Sequence, residues 1–330
     1  MILAIDVGGT KMAAGLVGSD GTVAFSARVA TPQGADAPTL WKTLDELIEP
    51  LSEGVEGVGV GCGGPMAWPD GEVSPLNIPG WRGFPLRARL AERFPGLPVR
   101  LHNDAICLAV AEHWKGAGQG SADMLGMVVS TGVGGGLILD GRLVNGGTGN
   151  AGHIGHVVVE PEGGPRCGCG GHGCLEAVAR GPALTAWALD QGWVPGPAAQ
   201  MADAGPRFGP DDGAYREDRA VTARGLAADA RAGDPVAVRA MRRAGRALGI
   251  AIASATHLCD LDLVTIGGGL SQAGEPLFGP LDEALREHAM MGFARRVKVM
   301  PATLGQEAGL VGAAALILAG ESYWTPATSR

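Results

Sequence analysis

Asp6-Val7-Gly8-Gly9-Thr10-Lys11 lies between two apolar runs, with Ile2–Val7 ahead of it and Met12–Val17 behind. Each run has the length and composition of a buried strand, and the pair of glycines between them permits a tight turn. Backbone N–H groups in such a turn can face an anion, and Thr10 and Lys11 add a hydroxyl donor and a positive charge. Asp6 ends the first strand, where a carboxylate can hold Mg²⁺ through water. The pattern is not a Walker-A loop, because no G-x-x-x-x-G-K-[ST] occurs. A plain hairpin without a ligand is the alternative, and the ordered set Asp, Gly, Gly, Thr, Lys favours phosphate.

Outward from this stretch, the spacing predicts a third strand at Thr22–Val29, reached through the turn Ser19-Asp20-Gly21. Leu40, Leu44, Leu47, Ile48 and Leu51 recur at helical intervals, which predicts a helix over Pro38–Leu51. A strand at Val55–Gly61, a helix around Leu86–Phe94 and a strand at Val99–Leu101 follow. Asn103-Asp104 then opens a helix running to about Trp114. After the Gly-rich stretch Gly116–Gly120 the plan restarts, with a strand at Met124–Ser130, a glycine loop at Thr131–Gly136 and a strand at Leu137–Leu139. A strand–loop–strand order in both halves predicts a duplicated α/β architecture. Trp193–Arg219, rich in Pro, Gly, Ala and Asp, predicts a surface excursion. A long helix at Asp234–Leu258, a strand at Leu261–Ile266, the loop Gly267-Gly268-Gly269, a helix at Pro280–Ala289, a strand at Arg296–Val299 and an apolar helix at Glu307–Leu318 complete the chain.

With 330 residues, 46% hydrophobic and 18% charged, the chain can bury a substantial core and is expected to form two lobes. Many of its 56 glycines cluster in short runs, which predicts loops where backbone approaches a ligand. A net charge of -8 argues against general nucleic-acid binding. No apolar run is long enough to span a bilayer, and Met1–Ile5 lacks the basic start of a signal peptide. The expected compartment is therefore the cytoplasm, with no membrane partner, and the 6 Cys call for a reading other than disulfides.

That reading is supplied by Cys167-Gly168-Cys169 and Cys174, preceded by His156. Three thiolates and one imidazole make a tetrahedral Zn²⁺ site with no position left open, so the metal is expected to be structural. His172, inside the cluster, competes with His156 for the fourth place. Thr131 and Gly132, in Ser130-Thr131-Gly132-Val133-Gly134-Gly135-Gly136, read as a second phosphate loop, and Gly267, Gly268 and Gly269 as a place to admit adenosine. Asp104, at the start of a helix, is either an N-cap or a general base for a hydroxyl nucleophile, with Asn103 to orient it.

Taken together, these motifs resemble the ROK family (repressors, open reading frames and kinases) of the actin-like ATPase superfamily. The carriers are Asp6–Lys11, Asn103-Asp104, Ser130–Gly136, Ala151-Gly152-His153-Ile154-Gly155-His156 and Cys167–Glu176, and the likeness extends to the closing helix at Gly309–Ala315. The resemblance implies a two-lobed actin-like, ribonuclease H-like fold. One α/β lobe would span residues 1–116, joined by the helix at 307–320, and the larger would span 117–306. It implies ATP with Mg²⁺ between them, a hexose in the cleft, and Asp104 as the base acting on the sugar 6-hydroxyl. Asn77, Asn103, Asp104, His153, His156 and Glu176 would contact the sugar. His156, preferred over His172 on this ground, would bind zinc through one nitrogen and face the sugar with the other. A dimer or tetramer is implied as well.

Kinases of this family commonly carry Glu where this chain has His153. A neutral imidazole offers one donor and one acceptor, whereas a carboxylate accepts twice. The segment Ala151–His156 is similar to that of some bacterial N-acetylmannosamine kinases, which points to an N-acetylhexosamine ahead of glucose. The alternatives are a glucokinase, a polyphosphate-using relative, a sugar-binding protein without catalysis, and a sugar-responsive repressor. The last is disfavoured because no helix-turn-helix fits before residue 6.

Overall fold

The computed structural model describes residues 1–202 and 221–323. Its first sheet has the strand order β3-β2-β1-β4-β7. β1 (Ile2–Val7) pairs antiparallel with β2 (Lys11–Val17), which pairs antiparallel with β3 (Val23–Ala30). After α1 (Ala37–Ile48), β4 (Gly57–Cys62) lies parallel to β1. A small hairpin of β5 (Met66–Ala67) and β6 (Glu72–Val73) and the helix α2 (Leu86–Arg93) intervene before β7 (Val99–Asn103), parallel to β4. α3 (Asp104–Lys115) follows at once.

The second sheet repeats that order as β10-β9-β8-β11-β12. Its strands are β8 (Met124–Val129), β9 (Val133–Leu139), β10 (Arg142–Leu143), β11 (Leu263–Gly267) and β12 (Lys298–Pro301). Between β10 and β11 run α4 (Leu175–Ala179), α5 (Gly181–Asp190), α6 (Pro197–Ala202), α7 (Ala223–Arg231) and α8 (Pro235–Cys259). Beyond β11 come α9 (Glu275–His288), α10 (Ala308–Leu318) and α11 (Gly320–Tyr323).

Two compact units result. One comprises residues 1–126, 135–152 and 302 onward, and the other residues 127–134 and 153–301. Where the sequence reading draws a boundary at residue 116, the first unit continues to Gly126, takes in Gly135–Gly152, and regains the chain at Ala302.

In the first unit the period of two along β1 sorts side chains to opposite faces. Leu3, Ile5 and Val7 pack with Leu40, Leu44 and Ile48 of α1 and with Trp81 and Leu90. Ile2 and Ala4 pack against Leu310, Ala313 and Ala314 of α10. Asp6 continues this second face and so points at the start of α10. β4 alternates in the same way, with Val58 and Val60 in the first core and Gly57, Gly59 and Gly61 turned to the helices. A β-carbon at Gly59 would stand 1.9 Å from the Ala313 carbonyl oxygen, and one at Gly312 would stand 1.9 Å from that of Cys107. These glycines are absent side chains that let helices close on a sheet, a use the composition alone did not suggest.

In the second unit α8 and α9 pack through Gly245 and Gly249, where β-carbons would meet the Leu277 and Leu281 carbonyl oxygens at 2.5 Å. The predicted start of α9 at Pro280 is corrected here. The helix begins five residues earlier and carries Pro280 inside it, against Gly245. The predicted excursion at Trp193–Arg219 is corrected over its described part. Trp193 is buried, and Trp193 Nε1 and the N–H groups of Gly196 and Ala199 all donate to the buried Asp229, at 3.0, 2.7 and 2.9 Å. Residues 203–219 lie outside the described residues. The second glycine loop is also shorter than predicted. Val133–Gly136 belong to β9, and a β-carbon at Gly136 would stand 2.9 Å from Ala109 Cβ of α3. Among the described residues no helix is long and apolar enough to cross a membrane.

Candidate active site and metal cluster

The turn joining β1 to β2 is closed by the Gly8 N–H donating to the Lys11 carbonyl at 3.0 Å. Residues at the end of β3 and beyond engage its carbonyl groups. Thr31 Oγ1 donates to Gly8 O at 2.7 Å, Gln33 Nε2 to Gly9 O at 2.8 Å, and the Thr31 N–H to Thr10 O at 3.0 Å. With its acceptors taken, the turn presents N–H groups, and Thr10 and Lys11 are exposed beside them. Asn77 lies on this turn, because a β-carbon at Gly9 would stand 2.5 Å from Asn77 Nδ2.

Asp104 enters from the other side of the same sheet end. Asn103 Oδ1 accepts from the Ala105 N–H at 3.0 Å and caps α3, so Asp104 is the first helical residue and not its cap. The N-cap position considered for Asp104 therefore belongs to Asn103, and Asp104 Oδ1 accepts from the same Ala105 N–H at 2.8 Å. Gly61 and Gly63 give its helix room. A β-carbon at Gly61 would lie 3.6 Å from Asp104 Cα, and one at Gly63 would lie 3.6 Å from Asn77 Oδ1 and 4.0 Å from Asp104 Oδ2. Asn77 and Asp104 thus converge on one glycine.

Asp6 completes this group. Burial, and next the nearby Asp104 carboxylate, push its carboxyl up to about 6, against a partial opposing pull from Lys11 and Arg28. A carboxyl held back from ionising by burial and by a neighbouring carboxylate attracts a divalent cation, which would relieve that cost. Sequence reasoning missed Gly309, whose lack of a side chain makes space for the Asp6 carboxylate, and Gly63. Neither carries a local signal, since the partner of each is remote in the chain.

In the second unit, the Ser130 N–H donates to Gly132 O at 2.9 Å and the Gly181 N–H to Ser130 O at 2.8 Å, which shapes the turn holding Thr131 and Gly132. Glu176 Oε2 accepts from the Val133 N–H at 2.9 Å, so this residue, predicted as a sugar contact, also braces the turn. Gly267 ends β11, and Gly268, with φ 89°, lies against β8, where a β-carbon would stand 2.4 Å from Val129 O. Gly269 follows within 3.9 Å of Ser130 Oγ, by the same measure. The two glycine turns are neighbours.

His156, Cys167, Cys169 and Cys174 bring one ligand atom each to within 4.8 Å of one another. Cys167 Sγ is 3.7 Å from His156 Nδ1, and Cys169 Sγ is 3.8 Å from Cys174 Sγ. Zn–S bonds of about 2.3 Å in a tetrahedron put sulfurs about 3.8 Å apart, so the cluster has the size such a cation requires. Without a cation, burial pushes the Cys174 thiol up to about 12, which a divalent cation would reverse. His172 is exposed and outside the group. His153 precedes the turn that carries His156, and their rings stack at 6.1 Å between centroids.

Comparison with known proteins follows the same lines. The profile of the ROK family matches residues 2–319. A glucokinase of Thermotoga maritima is 36% identical over 320 residues, which cover 96% of this chain and 96% of that protein. An N-acetylmannosamine kinase of Shigella flexneri is 35% identical over 318 residues, covering 96% and 97%. Among solved structures, a ROK family glucokinase from Streptomyces griseus in complex with glucose and AMPPNP is 36% identical, with 96% of this chain and 98% of that chain covered and a TM-score of 0.78.

Proposed function

The chain belongs to the ROK family, and from that premise we propose that it is an ATP-dependent sugar kinase with an actin-like fold, phosphorylating the 6-hydroxyl of a hexose or N-acetylhexosamine. The duplicated strand order of the two sheets supports the fold. The observation that carries the chemistry is the convergence of Asp104 and Asn77 on Gly63, with Asp6 close by. Asp104 accepts the proton of the attacking hydroxyl and orients it, while Asn77 and Asn103 fix the sugar beside it. Asp6, Gly8, Gly9, Thr10 and Lys11 serve one phosphate group, Thr131 and Gly132 another, and Gly267–Gly269 the adenosine. Mg²⁺, held by Asp6 through water, would supply neutralisation of the charge on the transferring phosphoryl group.

His156, Cys167, Cys169 and Cys174 would hold a structural zinc. In this reading His156 turns its second nitrogen to the sugar together with His153 and Glu176. The metal would also order α4, which starts directly after Cys174 and carries Glu176 to the turn at Val133.

Between substrates, the imidazole at His153 favours N-acetylmannosamine or a related N-acetylhexosamine. The second reading, glucose, is favoured by the named activity of the Thermotoga maritima and Streptomyces griseus relatives. Coupled ADP release over glucose, mannose and both N-acetylhexosamines, with wild type and His153→Glu compared, separates the readings. The favoured one predicts highest kcat/KM on N-acetylmannosamine and a shift toward glucose in the variant. Turnover of glucose alone would overturn it, and no turnover on any of these sugars would remove the substrate class.

A further inference from the structure

His102 precedes Asn103-Asp104 in β7 and is wholly enclosed, at 0% exposure. A buried imidazole is costly unless its nitrogens are bonded, and both are. The Asn103 N–H donates to His102 Nδ1 at 2.8 Å, and His102 Nε2 lies 2.9 Å from Asn145 Oδ1. A backbone N–H can only donate, so Nδ1 carries no proton. In a neutral ring the proton is then on Nε2, which donates to Asn145. The amide of Asn145 is fixed by the same logic, since reversing it would set an NH₂ group against a ring N–H.

The ring also stacks on Trp68 with centroids 5.2 Å apart and planes at 23°. Trp68 is held in turn by the segment that contains Asn145. A β-carbon at Gly149 would stand 2.4 Å from Trp68 Cβ, and Asn150 bonds both backbone groups of Met66, at 3.2 and 3.0 Å.

We infer that His102, as the neutral Nε2–H tautomer, is a positioning residue for Asp104. The bond from the Asn103 N–H to the His102 ring sets the peptide plane between the two residues. From that plane Asn103 caps α3 and Asp104 starts it. Asn145 and Trp68 hold the ring so that the plane cannot rotate. A ring that merely filled space would not need the Nδ1 acceptor. The inference rests on the reading of Asp104 as the base, because it assigns His102 an effect on that residue's placement.

Two variants of the full chain separate positioning from packing. His102→Phe keeps a ring against Trp68 but offers the Asn103 N–H no acceptor. His102→Asn loses the ring but can present its side-chain oxygen near the place of Nδ1. Positioning predicts that kcat falls about 10- to 100-fold in His102→Phe, as misplacement of a catalytic group by about 1 Å does, with KM for ATP changed by less than about 2-fold. It predicts that His102→Asn recovers most of the rate while melting lower. A packing role predicts the reverse order, and His102→Asn slower than His102→Phe overturns the inference.

Nitrogen NMR of the imidazole in the wild type, and amide exchange at Asn103, need no turnover. The expected results are an unprotonated Nδ1 with Nε2–H, and protection of the Asn103 amide that is lost in His102→Phe and regained in His102→Asn. The opposite tautomer, or equal protection in all three chains, overturns the inference. Absence of turnover in the wild type with these NMR results intact would remove the kinase reading while leaving the placement of α3 by His102 standing.

Discussion

Gly309 stands against Asp6 so closely that a β-carbon there would lie 2.5 Å from the Asp6 Oδ2 atom. Gly309 is in the first turn of α10, where alanine is the better helix former by about 1 kcal/mol. Gly309→Ala is therefore expected to leave the melting temperature within a few degrees of wild type. It displaces the Asp6 carboxylate, and kcat is expected to fall about 10- to 100-fold. Paired thermal melts and ADP-release rates check this, and an unchanged rate would contradict it.

Ionised Asp6 costs the fold stability. The unfolded chain releases the Asp6 proton near 3.8, while the folded chain holds it up to about 6. The folded state binds more protons between those values, so stability declines as pH rises through that window and the full penalty remains above it. The shift corresponds to about 3 kcal/mol. Asp6→Asn should be more stable than wild type at pH 8 without Mg²⁺ or nucleotide, equal to it below about pH 4, and inactive. Urea midpoints across pH measure the difference, and a variant gaining nothing at pH 8 would refute the ionic cost.

The cysteine cluster predicts about one zinc per chain by elemental analysis. Cys174→Ser should lose the metal and lower the melting temperature. Because α4 carries Glu176 to the Val133 N–H, the same change should raise KM for sugar or nucleotide before the fold is lost. A metal-free protein with full activity would remove this assignment.

Asp229 accepts three N–H donors from Trp193, Gly196 and Ala199. Asp229→Ala leaves them unpaired in the interior and is expected to cost about 3 kcal/mol. It should leave low-temperature kcat within about 2-fold of wild type, since no predicted site residue is involved. Urea denaturation reads the first and the coupled assay the second.

Much of this architecture was legible in the sequence where the signal is local. The strand–turn–strand around Gly8-Gly9, its repeat around Thr131-Gly132, and the helix opened by Asn103-Asp104 all rest on short-range periodicity and turn chemistry. The Cys167–Cys174 spacing is equally local, and only the choice of His156 over His172 rested on the family resemblance. What stayed hidden depends on distant contacts. Gly57, Gly59 and Gly61 read only as part of a strand, and nothing local shows that their missing side chains make room for α10 and α3, more than 40 residues away. Trp193 reads as part of a loop because its acceptor, Asp229, lies beyond an intervening segment. Pro280 reads as a helix start because nothing nearby announces Gly245, against which it packs. Asn103 and Asp104 both suit an N-cap, and only coordinates assign the cap to Asn103.

Asp104 is proposed as the group that takes the proton from the sugar hydroxyl. The direct measurement is kcat of wild type and Asp104→Asn in coupled ADP release on the preferred sugar, with sugar and ATP affinities measured by calorimetry. A positioned base contributes about 10²- to 10⁴-fold, so the account predicts a loss of that size with both affinities nearly unchanged. Asp104→Asn turning over within a few-fold of wild type would contradict it.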